Sequence, residues 1–317
     1  MTTTFSGIST VIFDFDGTLY EEPAVYDRFV QEMAAFLPPE RRDNFRDEWE
    51  QARAGRHAMR VGMGYDVQSD TLFRYDDDRI IARCDWQGTP IGAGQTADPA
   101  PAARARFQRP EDPAPQTTAA DSDPAQLEPH APATSSGAPP VETLLSPAQV
   151  LNIGDFWGLA DALAAHYGLQ RAQRAAAFMA TRAYMDGPEF PMAPAPGLVD
   201  ALQHLCGRGI ALVAMTNSPP DTTRAILHKL GIWDLFAQVQ TMARKPDGMR
   251  MFLAEQADPA RVLSVGDNFI NEIEPALQAG GAALYIDRFA TGLGEGQPRC
   301  ARVGSIPEMA DWLRRHL

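Results

Sequence analysis

Three apolar runs set the limits on what this chain can become: Val11-Ile12-Phe13, Ile210-Ala211-Leu212-Val213-Ala214-Met215 and Val262-Leu263-Ser264-Val265. Each reads as a strand covered on both faces, the condition of a parallel sheet sandwiched between helices. Each run breaks into a turn rich in polar side chains: Asp14-Phe15-Asp16-Gly17-Thr18, Thr216-Asn217-Ser218 and Gly266-Asp267-Asn268. Ligands of open parallel sheets gather just beyond the carboxyl ends of the strands. The chemistry of this chain is therefore expected along one edge of an α/β core.

Asp14 and Asp16 are two residues apart, so an extended backbone points both the same way, with Gly17 free to turn the chain sharply behind them. Such a pair suits a nucleophile and a proton donor, although two acids at a strand end also serve as ordinary turn and cap residues. Thr216-Asn217-Ser218 precedes Pro219-Pro220 and a helical stretch through Leu230. This places hydroxyls and free backbone N–H groups at a helix start, where an oxyanion would be held; a plain helix cap uses the same residues. Of the 28 Lys and Arg residues, only positions 229 and 245 are Lys. Lys245, in Arg244-Lys245-Pro246-Asp247, thus departs from the chain's own habit. A compact ammonium can touch a carboxylate and a phosphoryl oxygen together, where a guanidinium fork needs more room. Asp267 ends a buried strand, and with Asp14 it would offer the oxygen-rich octahedral setting that Mg²⁺ requires, with Glu272 standing behind.

In this order the strand-end signals resemble the haloacid dehalogenase superfamily. Its motifs correspond here to Asp14-Phe15-Asp16-Gly17-Thr18, Thr216-Asn217-Ser218, Lys245-Pro246, and Gly266-Asp267 with Asn271-Glu272. The resemblance spans residues 5–22 and about 190–317. It implies an α/β fold: a three-layer, Rossmann-like parallel-sheet core with an inserted, mainly α-helical cap domain. It further implies Asp14 as the nucleophile that becomes an aspartyl phosphate, and Asp16 as the acid that protonates the leaving oxygen and then activates water. Thr216, Asn217 and Lys245 would bind the substrate phosphate. Mg²⁺ would be held by Asp14, Asp267 and the main-chain carbonyl of Asp16, with Asn271 and Glu272 behind it. Metal and Lys245 together would offset the repulsion between a carboxylate and a phosphate dianion. Dehalogenases of this superfamily lack a carboxylate at the position of Asp16, so its presence favours phosphoester hydrolysis. Glu272 stands where many relatives carry Asp, a departure that bears on metal preference rather than on reaction type.

A net charge of −13 leaves no broad basic face to displace counterions from a nucleic acid, so an anionic substrate needs a local positive site. Cys84, Cys206 and Cys300 are far apart and lack metal-ligand spacing. No leader pattern is evident, and no stretch approaches the ~20 apolar residues of a membrane span. The cytoplasm is the expected compartment, and a small phosphate ester is the expected partner, with neither nucleic acid nor membrane. Nothing sets the oligomeric state.

Between the first motif and the second, helical periodicity runs over residues 22–37, 40–54, 155–167 and 169–185. Phe29, Met33 and Phe36 fall on one face of the first helix; Phe156, Leu159 and Leu163, then Phe178 and Tyr184, mark the later pair. Residues 70–86 read as a hairpin with Asp76-Asp77-Asp78 at its tip, a solvated turn rather than a cation site. Residues 92–140, dominated by Ala, Pro, Gln, Thr, Ser and Asp, are expected to be disordered and dispensable to catalysis. The division that follows assigns 1–19 and 190–317 to the catalytic core, 20–91 and 141–189 to the cap, and 92–140 to an insertion within it. Arg53, Arg56, His57, Arg60 and Arg182 are candidate cap contacts to substrate. The reading is a Mg²⁺-dependent phosphomonoester hydrolase. A phosphomutase using the same residues is the alternative, and a non-catalytic phosphate- or partner-binding module stands further off. Sugar phosphates, phosphoglycolate-like acids and nucleoside monophosphates are not ranked by the sequence.

Overall fold

A computed structural model describes residues 5–76, 79–91, 150–188, 190 and 192–317. The apolar runs form the centre of a six-stranded sheet. Strand β1 (Thr10–Phe13) is followed by helices α1 (Pro23–Ala35) and α2 (Pro39–Arg53), and by strands β2 (Met63–Asp66), β3 (Thr71–Asp76), β4 (Arg79–Cys84) and β5 (Val150–Ile153). Helices α3 (Phe156–His166), α4 (Arg171–Asp186) and α5 (Leu198–Gly207) lead to β6 (Ala211–Met215) and α6 (Pro220–Lys229). Then come β7 (Gln238–Gln240), α7 (Asp247–Ala254), β8 (Val262–Gly266), α8 (Glu274–Gln278), β9 (Ala282–Ile286), β10 (Cys300–Val303) and α9 (Ile306–His316).

The large sheet has the order β10-β9-β8-β1-β6-β7 and is parallel throughout. Strand β1 lies between β6 and β8, with Phe13 opposite Ala214 on one side and Val265 on the other. Because the three strands run the same way in that register, their following turns emerge side by side. Alternation along β1 explains the three layers. Val11 and Phe13 pack with Leu198, Leu202 and Leu313 of α5 and α9 on one face, while Ile12 packs with Met249, Leu253 and Ala276 of α7 and α8 on the other.

The helices expected between the first two motifs are present and share a core of Phe29, Met33, Phe45, Trp49, Leu159 and Leu163. Two departures have simple causes. Phe36 was expected on the buried stripe of α1, but the helix ends at Ala35 and Phe36 is 44% exposed. The inserted cap also carries a four-stranded antiparallel sheet of order β4-β3-β2-β5, larger than the expected hairpin. Tyr65, Leu72, Leu151 and Ile153 turn one face of that sheet into the helical core, so four-residue strands suffice. The expectation for residues 92–140 and for Asp77 and Asp78 lies outside the described residues. No described helix is long and apolar enough to cross a membrane.

Candidate active site

Asp14 sits one residue beyond β1, its N–H donating to the Val265 carbonyl at 2.8 Å, which keeps the chain in sheet register up to the carboxylate. The backbone then turns at Gly17, whose φ of +78° is costly for any residue with a Cβ. A side chain there would also collide with the Asp267 carboxylate, so glycine is required by space as well as by conformation. Asp14, Asp267 and Glu272 are all buried, and each places a carboxylate oxygen within 4.8 Å of the others. Glu272 comes from a π-helical turn, Phe269–Ile273, and its side chain lies against Gly266, where a Cβ would leave only 2.8 Å.

Lys245 enters this group of acids from the loop before α7. Its ammonium donates to Asp14 Oδ1 and, at 2.7 Å, to Glu272 Oε1. The loop is held by Asn217, whose Oδ1 accepts from the Lys245 backbone N–H at 2.7 Å. The other oxygen of Glu272 accepts from the Asn268 N–H at 2.8 Å. Glu272 is thus committed to positioning Lys245, a reach that an aspartate one methylene shorter would have difficulty matching. Among the described residues no hydrogen-bond donor closes on the Asp267 side chain, and its one ion-pair partner, Arg288, stands at 3.7 Å. Arg288 is itself shared with Glu21 and the Gly17 carbonyl.

The charge balance follows from these contacts. Burial pushes Asp267 and Glu272 well above the usual carboxylate range and raises Asp14 less far; neighbouring acids add to each rise, and Lys245 or Arg288 opposes it. Burial works to lower Lys245, but Asp14 and Glu272 more than reverse it and the amine stays charged. Three carboxylates facing one ammonium leave negative charge that protons or a cation must balance. With Asp267 short of donors, the donor set fits a divalent cation that prefers oxygen.

Asp16 occupies a different setting. Its Oδ1 accepts from the Tyr20 hydroxyl; its Oδ2 accepts from Arg182 Nη2 at 2.6 Å and from Ser218 Oγ at 3.1 Å. Burial works to raise this carboxyl, but the Arg182 guanidinium, with Tyr20 and Ser218, outweighs it and holds Asp16 below the usual range. Two acids with a single residue between them are therefore driven in opposite directions. Thr216 is buried beside them, its Oγ1 accepting from the Ser218 N–H at 3.0 Å.

Of the sequence-based site residues, the structure brings Asp14, Lys245, Asp267 and Glu272 together, places Asp16 and Thr216 alongside, and sets Asn217 behind Lys245. The Asn271 side chain makes no hydrogen bond to the cluster among the described residues. Of the five candidate cap contacts, only Arg182 meets the acids. Arg53 pairs with Asp27 and Glu50, Arg56 with Gln51 and Arg60 with the His57 carbonyl, while His57 accepts from the Met59 N–H. Arg182 had a readable signal: it lies four residues after Phe178 and three before Met185, a charge on the buried stripe of α4. Ser218 closes the Thr216-Asn217-Ser218 motif without a role of its own in the sequence reading, and Tyr20 lies two residues past the first motif. Arg288 stands two residues beyond buried strand β9, a strand-end position that the sequence reading did not single out. Asn268 also went unread; its Nδ2 donates to Asp155 Oδ2 at 3.0 Å and ties the start of α3 to the core, close against Gly154.

A parallel α/β core, an inserted helical cap and buried acids at the strand ends define a hydrolytic enzyme with a centre suited to a divalent cation. The chain belongs to the haloacid dehalogenase-like hydrolases, whose family model matches residues 8–280. It is similar to the solved L-2-haloacid dehalogenase RSc1362, at 15% identity and a TM-score of 0.46, covering 98% of this chain and 100% of that one. It is also similar to the L-2-haloacid dehalogenase of Xanthobacter autotrophicus (15% identity, TM-score 0.43, 97% and 98% covered). A third similar structure is the HAD-hydrolase YfnB of Bacillus subtilis, bound to magnesium (13% identity, TM-score 0.48, 96% and 98% covered). No curated protein matches the chain.

Proposed function

We propose that the chain is a Mg²⁺-dependent hydrolase of small phosphomonoesters, acting through an aspartyl phosphate on Asp14. The observation that carries this reading is a pair of carboxylates just beyond β1 with different partners, Asp14 bound to Lys245 beside Asp267 and Glu272, and Asp16 bound to Tyr20, Arg182 and Ser218. Asp14 is held by Lys245 beside the acid cluster, while Asp16 stands apart with its own three donors. Mg²⁺, held by Asp14, Asp267 and the main-chain carbonyl of Asp16, would supply positive charge against the phosphoryl oxygens.

The chain's own residues perform the remaining steps. Lys245 opposes the upward push of burial on Asp14 and aims its carboxylate, and its ammonium is a local positive site in a chain of net charge −13. The Thr216 hydroxyl contacts the phosphoryl oxygens. Asp14 attacks phosphorus while Asp16 gives its proton to the departing alkoxide; Asp16, now a carboxylate, takes a proton from the water that opens the acyl phosphate and releases phosphate. The arrangement of Tyr20, Arg182 and Ser218 favours the carboxylate that this second step needs and opposes the protonated form that the first step needs, so these contacts have to loosen when substrate binds. A halide leaves without a proton, so carbon–halogen cleavage would give Asp16 no task.

The test is release of inorganic phosphate from a panel of phosphate esters with Mg²⁺. Native protein should turn over, and Asp14→Asn should lose at least about a thousandfold while keeping its melting transition, because the amide keeps the shape but is a poor nucleophile. Undiminished turnover by the variant would overturn the assignment.

A further inference from the structure

Arg182 reaches Asp16 from cap helix α4, and its surroundings are unusual for a structural ion pair. It is 1% exposed, with its guanidinium carbon 4.7 Å from the Trp157 ring centre and 4.9 Å from that of Phe178. Nη2 donates to Asp16 and Nη1 to the Tyr20 hydroxyl at 3.1 Å, yet the buried Nε–H has no acceptor. A guanidinium removed from water with a donor unused is costly to keep for stability alone. It also stands where the reaction needs access. The leaving oxygen must reach a carboxyl oxygen of Asp16, and both are covered, one by Tyr20 and the other by Arg182 and Ser218.

We propose that Arg182 is the specificity-determining residue of this site, selecting phosphate esters whose alcohol half carries its own oxyanion, and that this group draws the guanidinium away from Asp16. The planar fork matches a carboxylate or a second phosphoryl group with two parallel bonds, and the Trp157 and Phe178 rings, themselves 5.3 Å apart, pack together against one flank of it. An oxyanion on the alcohol half gives the fork an acceptor in place of Asp16 and uncovers the carboxyl oxygen that meets the leaving oxygen. A neutral alcohol offers no such exchange, so its ester must compete with an intact ion pair. This selection rests on the phosphatase reading above.

The experiment measures phosphate release with Mg²⁺ from para-nitrophenyl phosphate, phosphoglycolate, its uncharged amide phosphoglycolamide, and the bisphosphate of ethylene glycol. For native protein, kcat/KM for at least one of the two anionic esters should exceed that for the amide by about 10- to 100-fold, the scale of one charge-assisted hydrogen bond. A preference for phosphoglycolate assigns the oxyanion as a carboxylate, and one for the bisphosphate assigns it as phosphoryl. Arg182→Met should bring the ratio close to one, and Arg182→Lys, which keeps the charge without the fork, should leave an intermediate ratio. Should the Met variant fail to fold, the Lys variant and the native ratio decide the matter. A native ratio near one with aryl phosphate still hydrolysed overturns the proposal and leaves the phosphatase reading standing. Release of phosphate from none of the four esters removes both.

Discussion

Replacing Asp267 by Asn should stabilise the protein in the absence of divalent cations and abolish its response to them. The acid oxygens of Asp14, Asp267 and Glu272 lie within 4.8 Å of one another, with Lys245 bound to Asp14 and Glu272 and Arg288 at 3.7 Å from Asp267. Two carboxylates at that distance repel by about 3.5 kcal/mol at an effective dielectric constant near 20. Proton uptake and the Arg288 contact relieve part of this, so the variant should gain about 1–3 kcal/mol, or several degrees in melting temperature. Arg288 retains Glu21 and the Gly17 carbonyl after the change, which limits the offsetting loss. The pH dependence has a definite sign. Folding raises the Asp267 carboxyl from an ordinary value near 3.8, so the folded state holds the extra proton and native stability declines as pH climbs toward the raised value. The advantage of Asn should therefore be small at pH 4 and larger at pH 7–8. With Mg²⁺ at a hundred times its dissociation constant the native protein should gain about 2.7 kcal/mol, and the variant little. Thermal unfolding followed by circular dichroism, in EDTA and in MgCl₂, reads both effects. A variant that melts lower than native protein in EDTA, or rises equally with Mg²⁺, would refute the view that these acids await a cation.

Lys245→Met should lower stability by about 3–5 kcal/mol in EDTA, because it leaves Asp14 and Glu272 buried without their cation, and phosphate release should disappear with it; an unchanged denaturant midpoint would contradict the pairing. Asp16→Asn should slow esters of alkyl alcohols far more than aryl esters, whose phenolate leaves readily without a proton, and equal losses on the two would remove its role as acid.

The parallel core was legible because it depends on a strong local signal: Val11 to Phe13 and Val262 to Val265 have no polar face to expose, so the sheet had to be covered on both sides. The site was legible for the same reason, since Asp14, Thr216 and Asp267 each follow such a run directly. Less was readable where contacts join distant segments. Arg182 and Asp16 are 166 residues apart, and periodicity could place the arginine on a buried stripe without naming the acid it meets. Strands β2 and β5 are four residues each and pair across a long separation, Met63 opposite Ile153, so neither window holds enough alternation to announce a sheet. The bond from Lys245 to Glu272 likewise joins residues 27 apart that no local pattern pairs.

The second lysine is as fully engaged as the first. The ammonium of Lys229, on α6, donates to the carbonyls of Met185, Gly187 and Phe190 at 2.6, 2.8 and 3.3 Å, closing the last turn of the helix that carries Arg182. With Lys245 buried among acids, neither side-chain amine of the folded chain is free. Reagents and modifying enzymes that seek lysine side chains, whether acylating, cross-linking or ubiquitin-conjugating, find both of them engaged in the folded chain, and lysine labelling of this protein becomes a measure of unfolding.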